Sequence, residues 1–213
     1  MLLSQKDYQQ VFVIDKYSLS SEESEQMKEL WGAGQVRHEE VVAVDTPYVH
    51  QRLATLDSNA VVRMWGFKNR ERRILFEEKL SYKATCLAMH PCGMLVALNC
   101  SSEIKLLSIL PHGLYEVMSA KTNYASTGLR FTECGNYLIS NEQNLLIFYN
   151  PFSLKTMGYY ESPELKSTIL DFVVTPQGTH LALQTSDFKC FVQPVKLSNY
   201  SQYEYPTPSH SQT

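Results

Sequence analysis

Between Val41 and Leu197 the chain alternates short apolar runs with short polar turns and has no helical stretch between them. The runs are about six residues long, which is strand length, and strands joined by brief turns describe an antiparallel meander. The clearest run-turn-run phrases are Cys86–Ala88, then MLVALN, then IKLLSI; Leu129–Phe131, then YLISN, then LLIFYN; and Leu170–Val173, then HLALQT, then FKCFVQ. A fourth, weaker strand follows the first three units as ILFEEKL, YEVMSA and MGYYES. In three units the first turn carries Gly93, Gly135 or Gly178, where a short polar turn needs a residue free to take positive φ.

The phrases recur. Units open at Val41, Ala84, Ser126 and Ser167, about every 42 residues, within the 40–45-residue period of a four-stranded propeller blade. A β-sandwich also has short strands and regular turns, but it does not repeat one strand-turn-glycine-strand phrase at fixed spacing. The expected fold is therefore all-β, a WD-repeat-like β-propeller of about four blades spanning 41–83, 84–125, 126–166 and 167–197. Only the first unit carries a tryptophan, Trp65, followed by Gly66 where a strict repeat has aspartate. The later units place Ser108, Tyr149 and Val192 there, so the inter-strand polar network of strict repeats is expected to be largely missing. Asp57 and Asp187 are its best remnants, and apolar packing between blades should supply the stability.

Residues 1–40 read as a strand, VFVIDKYSL, and a short helix that starts at Ser20 with Glu23 reaching back. The helix presents Met27, Leu30 and Trp31 on one stripe and ends at Gly32 and Gly34. Residues 198–213 have no aliphatic side chain and carry two prolines, the composition of a flexible tail. Four repeats are few for a closed ring. Either the VFVID strand completes a blade, or another chain covers the open blades; the second is expected, and with it a hetero-oligomeric assembly.

Composition narrows the function. A hydrophobic share of 44% is enough for a substantial core, and a net charge of −3 gives no overall basic field for nucleic acid or an anionic membrane. The first residues are too polar for a signal peptide and no window is apolar enough for a membrane span, so a soluble intracellular protein is expected. The five cysteines are odd in number and not densely spaced, which predicts free thiols rather than a disulfide framework.

Candidate chemistry is sparse. Cys86, His90, Cys92 and Cys100 lie close in sequence but lack paired C-x-x-C spacing, and strand alternation separates them, so no metal is expected. The six histidines pair with no nucleophile motif, and no phosphate-cradling loop occurs. No catalytic, cofactor-binding or metal residues are assigned, and the chain is expected not to be an enzyme. The run Lys68-Asn69-Arg70-Glu71-Arg72-Arg73 is the one basic patch. In the loop between third and outer strands it is either solvated or set against an acidic partner.

The stretch from Cys86 to Val117 followed by Leu129 to Tyr160 resembles the cilia- and flagella-associated WD-repeat proteins of the axoneme. The resemblance rests on His90-Pro91-Cys92-Gly93, Glu103-Ile104-Lys105-Leu106-Leu107 and Phe131-Thr132-Glu133-Cys134-Gly135. It implies a non-catalytic scaffold in the cytoskeleton of the cilium or flagellum. Such a scaffold tethers or positions dynein arms, radial spokes or their regulatory complexes on doublet microtubules, with tubulin a further contact. The alternative is a propeller adaptor of another assembly, such as a ubiquitin-ligase substrate receptor or a trafficking scaffold.

Overall fold

The computed structural model describes residues 2–5, 10–13, 28–29, 40–68, 71–122, 126–142, 145–161, 167–175 and 179–195, with side chains from residue 40 onward except those of 71 and 72. Every described element is a strand. Near the N-terminus β1 (Leu2–Gln5), β2 (Gln10–Val13) and β3 (Lys28–Glu29) form an antiparallel sheet in that order. Four further sheets follow the repeats. The first blade is β4 (Val41–Asp45), β5 (Arg52–Asp57), β6 (Val61–Lys68) and β7 (Glu71–Lys79). The second is β8 (Cys86–Met89), β9 (Leu95–Cys100), β10 (Glu103–Leu110) and β11 (Gly113–Lys121). The third is β12 (Gly128–Phe131), β13 (Leu138–Glu142), β14 (Leu145–Tyr149) and β15 (Thr156–Glu161). The fourth has three described strands, β16 (Ile169–Val174), β17 (His180–Thr185) and β18 (Cys190–Pro194). Each sheet is an antiparallel meander, so the chain forms a four-bladed β-propeller arrangement.

Alternation along each strand sends neighbouring side chains into different seams. On β9, Val96 and Leu98 join a core with Leu56, Val62 and Met64 of the first blade. The intervening Ala97 joins Leu129, Leu138 and Ile147 of the third. The next seam sets Ile139, Leu146 and Phe148 against Phe172, Leu181 and Leu183. At roughly 1.5–3 kcal/mol for each large apolar side chain buried, these seams hold one blade to the next. The pairing of third and outer strands slips at Met64/Trp65, Leu106/Leu107 and Phe148/Tyr149, one bulge at the same place in three blades. Bulges increase twist, which a propeller blade needs. They also show that Leu107, not Ser108, is the counterpart of Trp65, each being the first residue past the bulge; in the fourth blade it is Gln193, not Val192, which pairs with Leu181 as Trp65 pairs with Leu53.

The expected loss of the polar network needs correcting. Trp65 Nε1 donates to Thr55 Oγ1 at 3.0 Å. Asp57 Oδ1 accepts from the backbone N–H groups of Asn59 and Val61, at 3.0 and 2.9 Å. Its Oδ2 meets Arg63 Nη1 at 2.5 Å, and Arg63 Nε donates to Glu77 at 2.7 Å. A different network ties the later seams. Asn99 Nδ2 donates to Thr85 Oγ1 and to the carbonyl of Ser126 in the next blade, at 3.0 and 2.8 Å. Asn141 Nδ2 repeats this with Thr127 Oγ1 and the carbonyl of Ile169, both at 2.8 Å. A polar residue at the end of the second strand thus does by side-chain amide what the strict repeat does elsewhere.

Most of the expected N-terminal helix lies outside the described residues. Lys28 and Glu29, its two described residues, are extended and pair with Val13 and Phe12, which gives the backbone of β2 a second partner. The VFV segment pairs only within that small sheet and completes no blade among the described residues. Residues 198–213 and Gly178 also lie outside the described residues.

Candidate functional site

One cross-strand pair, repeated in each blade, locates the surface that differs from the rest. Ala54 faces Met64 across β5 and β6, Ala97 faces Leu106 across β9 and β10, and Ile139 faces Phe148 across β13 and β14. All six side chains are buried, because the next blade lies on them. In the fourth blade the same position is taken by Ala182 facing Val192. Here Val192 is 73% exposed, and Val173, opposite Ala182 on the inner strand, is 55% exposed. The contrast runs along whole strands: β9 and β13 are buried on both faces, whereas β17 alternates exposed and buried at every residue. Its buried residues, Leu181, Leu183 and Thr185, face the third blade.

The result is an apolar row, Val173–Ala182–Val192, in sheet register on an uncovered face. Asp171, Gln184 and Cys190 border it. No inner-strand packing joins the fourth blade to the first among the described residues, although such packing joins β4 to β8, β8 to β12 and β12 to β16. The Asn99 and Asn141 position is also altered. Gln184 stands there, exposed on the same face as Ala182, and the Thr185 hydroxyl beside it donates to Asp187 within its own blade. This face is not legible in the sequence, because Ala182 and Val192 follow the same apolar pattern as their buried counterparts. Only the succession of blades shows that nothing described lies over them.

The residues weighed for chemistry are dispersed. His90 lies in the turn after β8, with Nδ1 accepting from the Cys92 N–H at 3.2 Å and Nε2 at 3.2 Å from the Gly135 carbonyl oxygen. Burial lowers its pKa. Cys100 is buried, and burial pushes its thiol up to about 11; burial also raises Cys86. Thiolate is the metal-binding form, so these shifts oppose ligation. Among the described residues no three His, Cys, Asp or Glu side chains gather as a metal site. Of the basic run, Lys68 ends β6 and Arg73 lies exposed on β7, Asn69 and Arg70 lie outside the described residues, and Glu71 and Arg72 are described only as backbone. Asp187 is held down to about 2 by Lys189 and the Thr185 hydroxyl.

No family model and no curated protein matches the chain. Solved structures do. The β-propeller domain of Cps50 (Swd1) from Myceliophteria thermophila is similar with a TM-score of 0.59 at 14% identity, over 74% of this chain and 54% of that one. Hydrazine synthase from Kuenenia stuttgartiensis is similar with a TM-score of 0.59 at 11% identity, over 76% and 49%. The chain spans about half the length of these solved chains. Likeness at such identity concerns the fold, and with the blade-by-blade register it makes this chain a β-propeller of degenerate WD-like repeats.

Proposed function

We propose that this chain is a non-catalytic interaction scaffold which docks another protein on the open face of its fourth blade. One observation carries the reading: the Ala182–Val192 pair is exposed where its three counterparts are each buried under a following blade. An apolar row in sheet register favours a partner that presents a β-sheet face, as the blades of this chain present to one another. His90, the side chain most suggestive of chemistry, is occupied in a seam between the second and third blades.

The finer part of the proposal is the place of work, the axoneme of a motile cilium or flagellum, where the scaffold tethers or positions dynein arms, radial spokes or their regulatory complexes. The His90-Pro91-Cys92-Gly93 and Phe131-to-Gly135 phrases support it through their resemblance to axonemal WD-repeat proteins. Tagged protein expressed in ciliated cells should remain with axonemes after detergent removes the membrane. Recovery wholly in the soluble fraction removes the ciliary part, and recovery with ligase or coat subunits reassigns the scaffold to another assembly.

A further inference from the structure

A groove of about 440 Å³ lies at the seam of the first two blades. Its floor is apolar: Met64 and Phe76 from the first blade and Ile109 from the second. Its rim leaves large apolar side chains uncovered, with Ile74 39%, Met94 52% and Leu110 48% exposed. The volume is that of a small-ligand or side-chain pocket rather than of a packing defect.

The charges around it are one-sided. Arg52 and Arg73 line the groove, His112 stands beside them, and no lining residue is acidic. Neither arginine has an ion-pair partner among the described residues, whereas Arg63, one strand away, is paired with Asp57 and Glu77. In a chain of net charge −3 this is a local reversal of sign. The basic run in the sequence ends at Arg73, so its described terminus leads into the groove.

We infer that this groove binds a short acidic segment of a partner protein, one that places a large apolar side chain on the Met64–Phe76–Ile109 floor and carboxylates on Arg52 and Arg73. Two unpaired guanidinium groups flanking an apolar floor fit that chemistry, because guanidinium holds carboxylate in paired geometry and the floor needs an apolar anchor. Phosphate or nucleic acid would use the arginines and leave the exposed Ile74, Met94 and Leu110 without a partner. The inference rests on the scaffold reading and names a second, chemically distinct surface of it.

Selection of a random short-peptide phage library on the whole chain tests this. Sequences joining Asp or Glu to Leu, Ile or Phe should be enriched. Synthetic versions should bind the wild type and lose about ten- to a hundredfold in affinity for Arg73→Glu or Arg52→Glu. Leu110→Ser should weaken binding while leaving its salt dependence in place. No enrichment, enrichment of basic or neutral peptides, or equal binding by Arg73→Glu overturns the inference. Binding of heparin that needs Arg73, without peptide enrichment, assigns the groove to polyanions and overturns it too. A Val173→Glu/Val192→Glu variant separates the two surfaces: it should keep the peptide, and its failure in partner recovery concerns the fourth blade alone.

Discussion

His90 of the second blade holds its Nε2 3.2 Å from the carbonyl oxygen of Gly135 in the third, so one turn is seated on the next. With Nδ1 accepting from Cys92 N–H, the neutral tautomer places its proton on Nε2, which donates to Gly135. Phe131 packs edge-on to the ring at 5.0 Å, and Phe152 closes on it at 5.5 Å. The first seam is built alike: His50 lies over Gly93 so closely that a Cβ there would come within 2.6 Å of the ring. The histidine of the His-Pro-x-Gly phrase is thus a seam residue.

A pH dependence follows. Burial lowers the pKa of His90 from its ordinary 6.5, so as pH falls below 6.5 the unfolded chain takes up a proton before the folded one. Stability is therefore greatest above pH 6.5, declines below it, and levels off once the folded ring is also protonated. Denaturant melts between pH 5 and pH 8 should show the decline, and His90→Gln should flatten that part of the profile.

Gly135 has φ of +72°, and a Cβ there would stand 2.6 Å from His90 Nε2. Gly135→Ala combines left-handed backbone with displacement of the ring and should cost at least about 1–2 kcal/mol. Adding His90→Ala should recover the steric share. A single variant as stable as wild type by chemical denaturation would contradict the seam described here.

The amide clamps should behave as separate units. Asn99→Ala leaves the Ser126 carbonyl without its buried donor, and Asn141→Ala does the same to Ile169; each should cost about 1–3 kcal/mol. The two sites lie in different seams, so the double variant should show nearly additive loss in melting experiments.

Arg63 is 3% exposed and compensates the buried Asp57 carboxylate. Arg63→Ala strands that charge and should cost roughly 3–5 kcal/mol, near the limit of folding. Trp65→Phe keeps the ring's bulk and forfeits one hydrogen bond to Thr55, so about 1 kcal/mol is expected. Equal losses for the two would mean that the buried ion pair adds nothing at this site.

The blade period, the strand order and the glycine turns were legible because each follows from local pattern: Gly93 and Gly135 do take positive φ. What the pattern cannot display is where a polar side chain reaches across a seam. Asn99 and Asn141 end apolar strands at matching offsets from Thr85 and Thr127, a signal present in the sequence but without meaning until the neighbouring blade's carbonyls are placed. Ala60 and Phe188 were equally hidden. Both take φ near +60° in the turns between second and third strands, where Asp57 hydrogen-bonds the turn backbone and Asp187 joins Thr185 and Lys189, and neither residue type announces such a conformation. Ala182 and Val192 read as core by pattern and are surface by position, because a strand's apolar pattern carries no record of whether a further blade lies over it.

The most direct test is quantitative affinity purification of the wild type and the Val173→Glu/Val192→Glu variant from ciliated cells. Both substitutions fall on exposed positions, so the variant should melt like the wild type. The wild type should bring down a defined set of protein partners, with axonemal subunits among them, and the folded variant should lose that set. Recovery of the same partners at the same yield by both proteins would contradict the claim that the fourth blade's open face is where this scaffold assembles.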